Sequence, residues 1–219
     1  MINNKNLYIF DIDGTLTDSV TLYHQVIIDT LKDLGIHKVD TNFNAYLHHT
    51  DSYALKLNFE QNFNETFDAT LLDTFDNGLA KQFLKHPPVS EIKGAQKTIN
   101  YLRNKSTSIC FATGSMPKPA KLKLDQCNIW NCDELIATSK TSYNREGFVL
   151  DAIEKAKRYY NVTHFEEIIS VGDGLWDLKT AQNLNLNFIG IGNKNKEILH
   201  QNGCTNWFEN MESLHLDLL

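Results

Sequence analysis

The stretch "LYIFDIDGTLTDS", residues 7–19, sets four largely apolar residues directly ahead of two carboxylates one residue apart, and then turns at Gly14-Thr15. A short apolar run that ends in a turn signal reads as a buried strand. Asp11 and Asp13 repel each other if both are ionised in a poorly solvated place, so something elsewhere must offset that cost. Asp-Gly is also a common turn dipeptide, and an ordinary turn would explain these letters taken alone. The remainder of the chain has to decide.

Two textures lie beyond this stretch. From about residue 92, short apolar runs such as "TSICFAT" (107–113), "ELIAT" (134–138), "EEIISVGDG" (166–174) and "LNFIGIG" (186–192) alternate with segments of helical spacing. That order predicts an α/β fold with a parallel sheet, helices on both faces and "LYIFDID" as one more strand. Residues 20 to about 88 instead read as amphipathic helices over "LYHQVIIDTLKDLG", "DSYALKLNFEQNF" and "ETFDATLLDTFDNGLAKQFLK", with "HPPVS" as the exit. The segment is a helical insertion. If the strands are parallel, residues that follow them gather at one sheet edge, where open α/β sheets bind ligands. Asp11, Asp13, Thr113, Gly114 and Asp173 are such residues.

Bulk composition narrows the function. The chain has 219 residues, 42% hydrophobic and 22% charged, enough for one large domain or two small ones. No apolar run approaches the length of a membrane span, and the start "MINNKNLYIFDIDG" lacks the pattern of a secretory leader, so a cytoplasmic protein with no membrane partner is expected. The four cysteines form no CxxC pair; Cys127 and Cys132 lack the second pair that a zinc site needs, and reduced thiols are expected. Of the net charge of −6, residues 16–90 carry −5, from five Lys against ten acids. Phosphate backbones need clustered Lys and Arg, so nucleic acid is disfavoured and a small molecule is expected as partner.

Asp11, Asp13 and Asp173, with Asp177 four residues further on, form a hard-oxygen set suited to Mg²⁺, which takes a few carboxylates, water and substrate phosphate. Such a cation offsets the repulsion between the first two and keeps Asp11 ionised as a nucleophile. "DGT" and "TGS" add backbone N–H groups and hydroxyls that suit phosphoryl oxygens.

These motifs, in order, resemble those of the haloacid dehalogenase superfamily: "DIDGT" its first motif, "FATGS" its second and "VGDGLWD" its fourth, with Gly94 at the re-entry into the core. The insertion is similar to the superfamily's C1-type cap, and the pattern is nearest to its phosphoglycolate phosphatase-like branch. The resemblance implies a Rossmann-like three-layer core from residues 1–16 and 89–219, with a helical cap from 17–88. It also implies that Asp11 attacks phosphorus and becomes an aspartyl phosphate, while Asp13 protonates the leaving alcohol and then activates water. Mg²⁺ would be held by the side chains of Asp11 and Asp173 and the carbonyl of Asp13, with Asp177 in support and Thr113 on the phosphoryl group. The expected substrate is a small phosphorylated metabolite. A phosphomutase resembling β-phosphoglucomutase, and a non-catalytic phosphometabolite-binding regulator, are the alternatives.

The third motif of that superfamily usually offers a Lys at the start of the helix before the last acidic motif, often as Lys-Pro, and no such dipeptide stands at that place. Arg145 at a helix start is assigned its role, with Lys140 as second choice. Each of these residues also has a plainer reading: Thr113 as a strand end or helix cap, Asp177 as a first-turn helix acid, Arg145 as a solvated charge. In "LHHTDSYAL" (47–55), the resemblance to capped members, whose caps read the leaving group, implies His49 and Asp51 as candidates for substrate specificity, although an N-cap at Thr50 or Asp51 explains the same letters. Trp130 and Trp176 are read as packing residues, with a wall of the pocket as the alternative for Trp176 beside the acidic motif.

Overall fold

Leu7 and Ile9 of the first strand pack into one hydrophobic cluster and Tyr8 and Phe10 into another, so both faces of that strand are covered. A strand covered twice must be central, and in the computed structural model, which describes residues 6–218, it is. Residues 1–5 and 219, assigned above to the core, lie outside the described residues. The chain runs β1 (Asn6–Phe10), α1 (Val20–Asp33), α2 (Asp51–Phe63), α3 (Leu71–Phe83), α4 (Ala95–Asn104), β2 (Ser108–Thr113), α5 (Pro117–Gln126), β3 (Ile136–Thr138), α6 (Arg145–Tyr160), β4 (Glu167–Gly172), α7 (Leu175–Asn183), β5 (Asn187–Ile191), α8 (Lys196–Gln201), β6 (Trp207–Phe208) and α9 (Met211–Leu218).

The strands form one parallel sheet in the order β3-β2-β1-β4-β5-β6. The α4 and α5 connections lead outward through β2 and β3; α6 then crosses to the opposite face and returns the chain beside β1 as β4. Strand order therefore reverses at β1, which places a crevice at its carboxyl end. Register aligns Phe10 with Phe111 on one side and with Val171 on the other, so Asp11, Thr113 and Asp173 leave the sheet together.

Local sequence explains α6, the crossing helix. Asn144 accepts a hydrogen bond from the Gly147 N–H at 2.8 Å as its N-cap, and Asn161 ends the helix in the left-handed region. Between them Phe148, Val149, Ala152, Ile153 and Ala156 form one buried stripe against the sheet.

Helices α1 to α3 fill the segment between β1 and α4. The chain leaves and returns at adjacent points, because Thr17 bridges Glu91, the Asp18 N–H donates to the Ser90 carbonyl and the Ile92 N–H to the Leu16 carbonyl, both at 2.9 Å. Its apolar residues do not form a separate core. Leu31, Leu55, Phe75 and Phe83 join the same cluster as Phe10, Ile99 and Phe111.

The structure corrects the sequence reading in two places. Residues 65–70 are not helical: Asp68 accepts from the Thr70 N–H at 2.9 Å, and its carbonyl accepts from Leu71, which makes a turn ahead of α3. The strand β6 has only two residues, too few for a periodicity, and exists through pairing with Gly190 and Ile191.

Because one cluster spans both parts, Phe75→Ala should destabilise the whole molecule by about 3–5 kcal/mol. All three tryptophans lie outside the insertion, but Trp176 stacks on the insertion's His49, so a Trp176→Phe background is used in which Trp130 and Trp207 report on the core. A urea titration followed by their fluorescence should move with one followed by helical circular dichroism; a shift in circular dichroism alone would show two independent units.

Candidate active site

Gly14 has φ +83°, and a side chain there would fall on the Asp173 carboxylate. The turn after β1 thus brings the early acidic pair against the loop after β4. One oxygen each of Asp11, Asp173 and Asp177 lies within 4.8 Å of the others. Arg145, the first residue of α6, reaches into this group: its Nη1 is 2.5 Å from Asp177 Oδ1 and 3.3 Å from Asp11 Oδ1. Asp177 is fixed further by accepting the Gly174 N–H at 3.0 Å, and a side chain at Gly172 would collide with it.

Burial, followed by the neighbouring Asp177 charge, holds the Asp11 carboxyl well above the ordinary carboxylate range, with Arg145 opposing. The same two causes raise Asp173 to about 7. A hard divalent cation fits this donor set, since three converging carboxylates with one guanidinium leave negative charge uncompensated.

Asp13 has a different environment. Its carboxylate accepts from Lys123 Nζ at 2.7 and 2.8 Å, from Ser19 Oγ at 2.5 Å and from Ser115 Oγ at 2.9 Å. Burial acts to raise Asp13, but the Lys123 charge and these hydrogen bonds outweigh it and hold the group below the usual range. The Lys123 side chain is 0% exposed, and its ammonium also sits 3.1 Å above the Tyr23 ring. Sequence reasoning missed Lys123, Ser19 and Ser115. A signal for Lys123 existed: it shares the helical stripe of Met116, Ala120, Leu124 and Cys127, and a cation on an apolar face needs a buried partner.

Thr113 ends β2, is buried and accepts from the Ser115 N–H at 3.1 Å while lining the same cavity. Gly114 serves packing: its carbonyl accepts the Asp51 N–H at 2.9 Å, and a side chain there would lie 2.5 Å from the His49 carbonyl. Lys140 is not brought to the site. Its Nζ pairs with Asp73 at 2.5 Å on the exposed surface, because the loop after β3 turns it toward α3.

The insertion meets the core at the start of α2. Thr50 is the N-cap, accepting from the Tyr53 N–H at 3.3 Å, and its hydroxyl donates to the Tyr143 carbonyl at 2.9 Å. Asp51 lines the cavity but is only 4% exposed, and its Oδ2 is taken by the Tyr23 hydroxyl and by the Met116 N–H at 2.8 Å. Through that oxygen it fastens the seam between the insertion and the core. Burial raises Asp51 to about 7, with Lys123, Tyr23 and Met116 opposing and Asp13 adding. His49 stacks on Trp176 at 3.5 Å between centroids, and both line the cavity, so of the two readings of Trp176 the wall applies. The cavity holds about 310 Å³, at the small end for small-molecule sites. Among the described residues no helix is long and apolar enough to cross a membrane.

With this geometry in place, the sequence model for haloacid dehalogenase-like hydrolases matches residues 8–191. No curated protein sequence matches significantly. Among solved structures, the chain is similar to a hydrolase from Pseudomonas syringae (TM-score 0.70, 21% identity, 98% of this chain and 99% of that one). It is also similar to CbbY from Rhodobacter sphaeroides in complex with phosphate (0.71, 18%, 99% and 100%). A third likeness is to a protein provisionally assigned as a β-phosphoglucomutase from Bacteroides vulgatus (0.70, 15%, 98% and 88%). At these identities the likeness is one of fold.

Lys123→Met leaves Asp13 charged without its cation and should cost about 3 kcal/mol in urea denaturation, partly recovered by adding Asp13→Asn. For Asp51, the raised folded-state value means that stability present near pH 4 is lost as pH rises through 7. Asp51→Asn removes that dependence. Its unfolding free energy relative to the unsubstituted protein should therefore rise between pH 5 and 8; a constant difference would show that the Asp51 carboxyl is not strained.

Proposed function

The chain belongs to the haloacid dehalogenase-like hydrolases, and from that premise we propose that it is a Mg²⁺-dependent phosphatase acting on a small phosphorylated metabolite through an aspartyl phosphate on Asp11. The observation that carries this reading is the division of charge at the sheet edge: Asp11, Asp173 and Asp177 around Arg145, with Asp13 held apart by Lys123. Asp11 and Asp173, with the main-chain carbonyl of Asp13, would hold the cation, and Asp177 would support them. Bound there, it would neutralise phosphate charge and keep Asp11 ionised.

The chain's own residues do the rest. Asp11 attacks phosphorus, and the bond from phosphorus to the alcohol oxygen breaks as Asp13 gives that oxygen a proton. A phosphate dianion beside Asp13 raises its affinity for the proton it must carry. Water then attacks the aspartyl phosphate, Asp13 takes a proton from it, and the phosphorus bond to Asp11 breaks. The ionised state that Lys123 favours suits this second half. Arg145 presents its guanidinium to Asp11 and to a transferring phosphoryl group, and Thr113 offers its hydroxyl to the same oxygens. The insertion closes over this floor and excludes bulk water.

Asp11→Asn should lower Mg²⁺-dependent release of phosphate from an aryl phosphate by roughly a thousandfold or more with the fold intact. Chelation should abolish release and Mg²⁺ restore it. Full turnover by Asp11→Asn would remove Asp11 as nucleophile, and an intermediate that persists for minutes in water would favour a mutase.

A further inference from the structure

The insertion contributes a wall to the cavity whose character differs from the acidic floor. Val20, Tyr23, Ile27, Phe43, Tyr46 and Ala54 line it, and none of the insertion's lysines does. The two tyrosine hydroxyls face inward commitments: Tyr23 donates to Asp51, and Tyr46 donates to the Asp40 carbonyl at 2.6 Å and accepts from Asn58 at 2.8 Å. Asp51, the insertion's one acid in the lining, is engaged as described. Two imidazoles remain. His24 stacks on Phe43 at 4.5 Å and His49 on Trp176, and among the described residues neither has a hydrogen-bond partner. Burial lowers both from the ordinary histidine value, so they meet a ligand as neutral rings with free polar edges. The cations that touch the cavity, Arg145 and Lys194, both come from the core side, and Lys194 is exposed on the loop after β5.

We propose that the leaving group read at this site is uncharged and carries a planar or apolar ring, so that the substrate is a monophosphate ester of a neutral, ring-bearing alcohol. This rests on the phosphatase reading and specifies its substrate class. A second phosphate or a carboxylate on the leaving group would enter a wall that supplies no cation of its own, with only the solvent-exposed Lys194 of the core loop near His24, and would lose hydration with little compensation. A ring, by contrast, finds aromatic faces, aliphatic surface and two imidazole edges. A volume of about 310 Å³ accommodates a phosphate and one ring, not an extended polymer.

Three probes test this. Benzyl phosphate carries the neutral ring, 2-phosphoglycolate replaces it with a carboxylate on a comparable primary alcohol, and acetyl phosphate is too short to reach the wall. The expected result is a kcat/KM for benzyl phosphate at least tenfold above that for 2-phosphoglycolate. Phe43→Arg, with the fold checked by circular dichroism, should lower that ratio by placing a cation in the wall. Hydrolysis of acetyl phosphate with 2-phosphoglycolate equal to or better than benzyl phosphate overturns the inference and leaves the phosphatase reading standing. An unchanged ratio in folded Phe43→Arg also overturns it. No Mg²⁺-dependent release from any of the three overturns the phosphatase reading and the inference together.

Discussion

Four aspartates and two cations share one poorly solvated sheet edge, where full ionisation would leave two negative charges unmatched. Lys123 takes Asp13, and Arg145 takes Asp11 and Asp177. Two carboxylates one residue apart therefore have unlike surroundings, one raised and one lowered in acidity constant. The side chains of Asp11 and Asp173 face one space with Asp177, and a divalent ion bound there would match the unpaired charge.

The same economy explains the seam between the insertion and the sheet. Helix α2 begins on the loop after β2, with its N-cap Thr50 and first-turn Asp51 both spending side-chain atoms on core backbone. Tyr23 then links Asp51 to Lys123, because its hydroxyl meets one and its ring the other. A continuous set of contacts joins the insertion to the acid that handles protons in the proposed reaction. The apolar cluster common to both parts makes this a packed junction and not a loose lid.

Much of this was legible in the residues. Alternation of β-like and helical spacing identified five of the six strands, and the motif order placed Asp11, Asp13, Thr113, Asp173 and Asp177 at one edge. The superfamily resemblance pointed to Arg145 as a stand-in for the third-motif Lys, and its Nη1 lies 3.3 Å from Asp11 Oδ1. What escaped notice depends on packing. Lys123 looks like one more helical lysine until the stripe beside it is recognised as buried, and Ser19 and Ser115 have no signature beyond proximity. The resemblance to capped relatives made Asp51 a specificity candidate, but no local pattern showed that the Met116 N–H and the Tyr23 hydroxyl, far away in sequence, engage its Oδ2. Lys140 failed for a similar reason: its loop direction follows from β3 ending at the sheet edge, which no local pattern encodes.

The hydrogen-bonded ribbon where residues 16–18 run beside 90–92 brings the two ends of the insertion together. Chain length between such ends is nearly free in entropic terms, since loop closure grows only slowly with length. Lineages could therefore lengthen, shorten or exchange the intervening helices without disturbing strand order. The limit comes from Phe75, Leu79 and Phe83, whose apolar surface any replacement must still provide. The junction therefore constrains its buried face far more strictly than the number of residues that supply it.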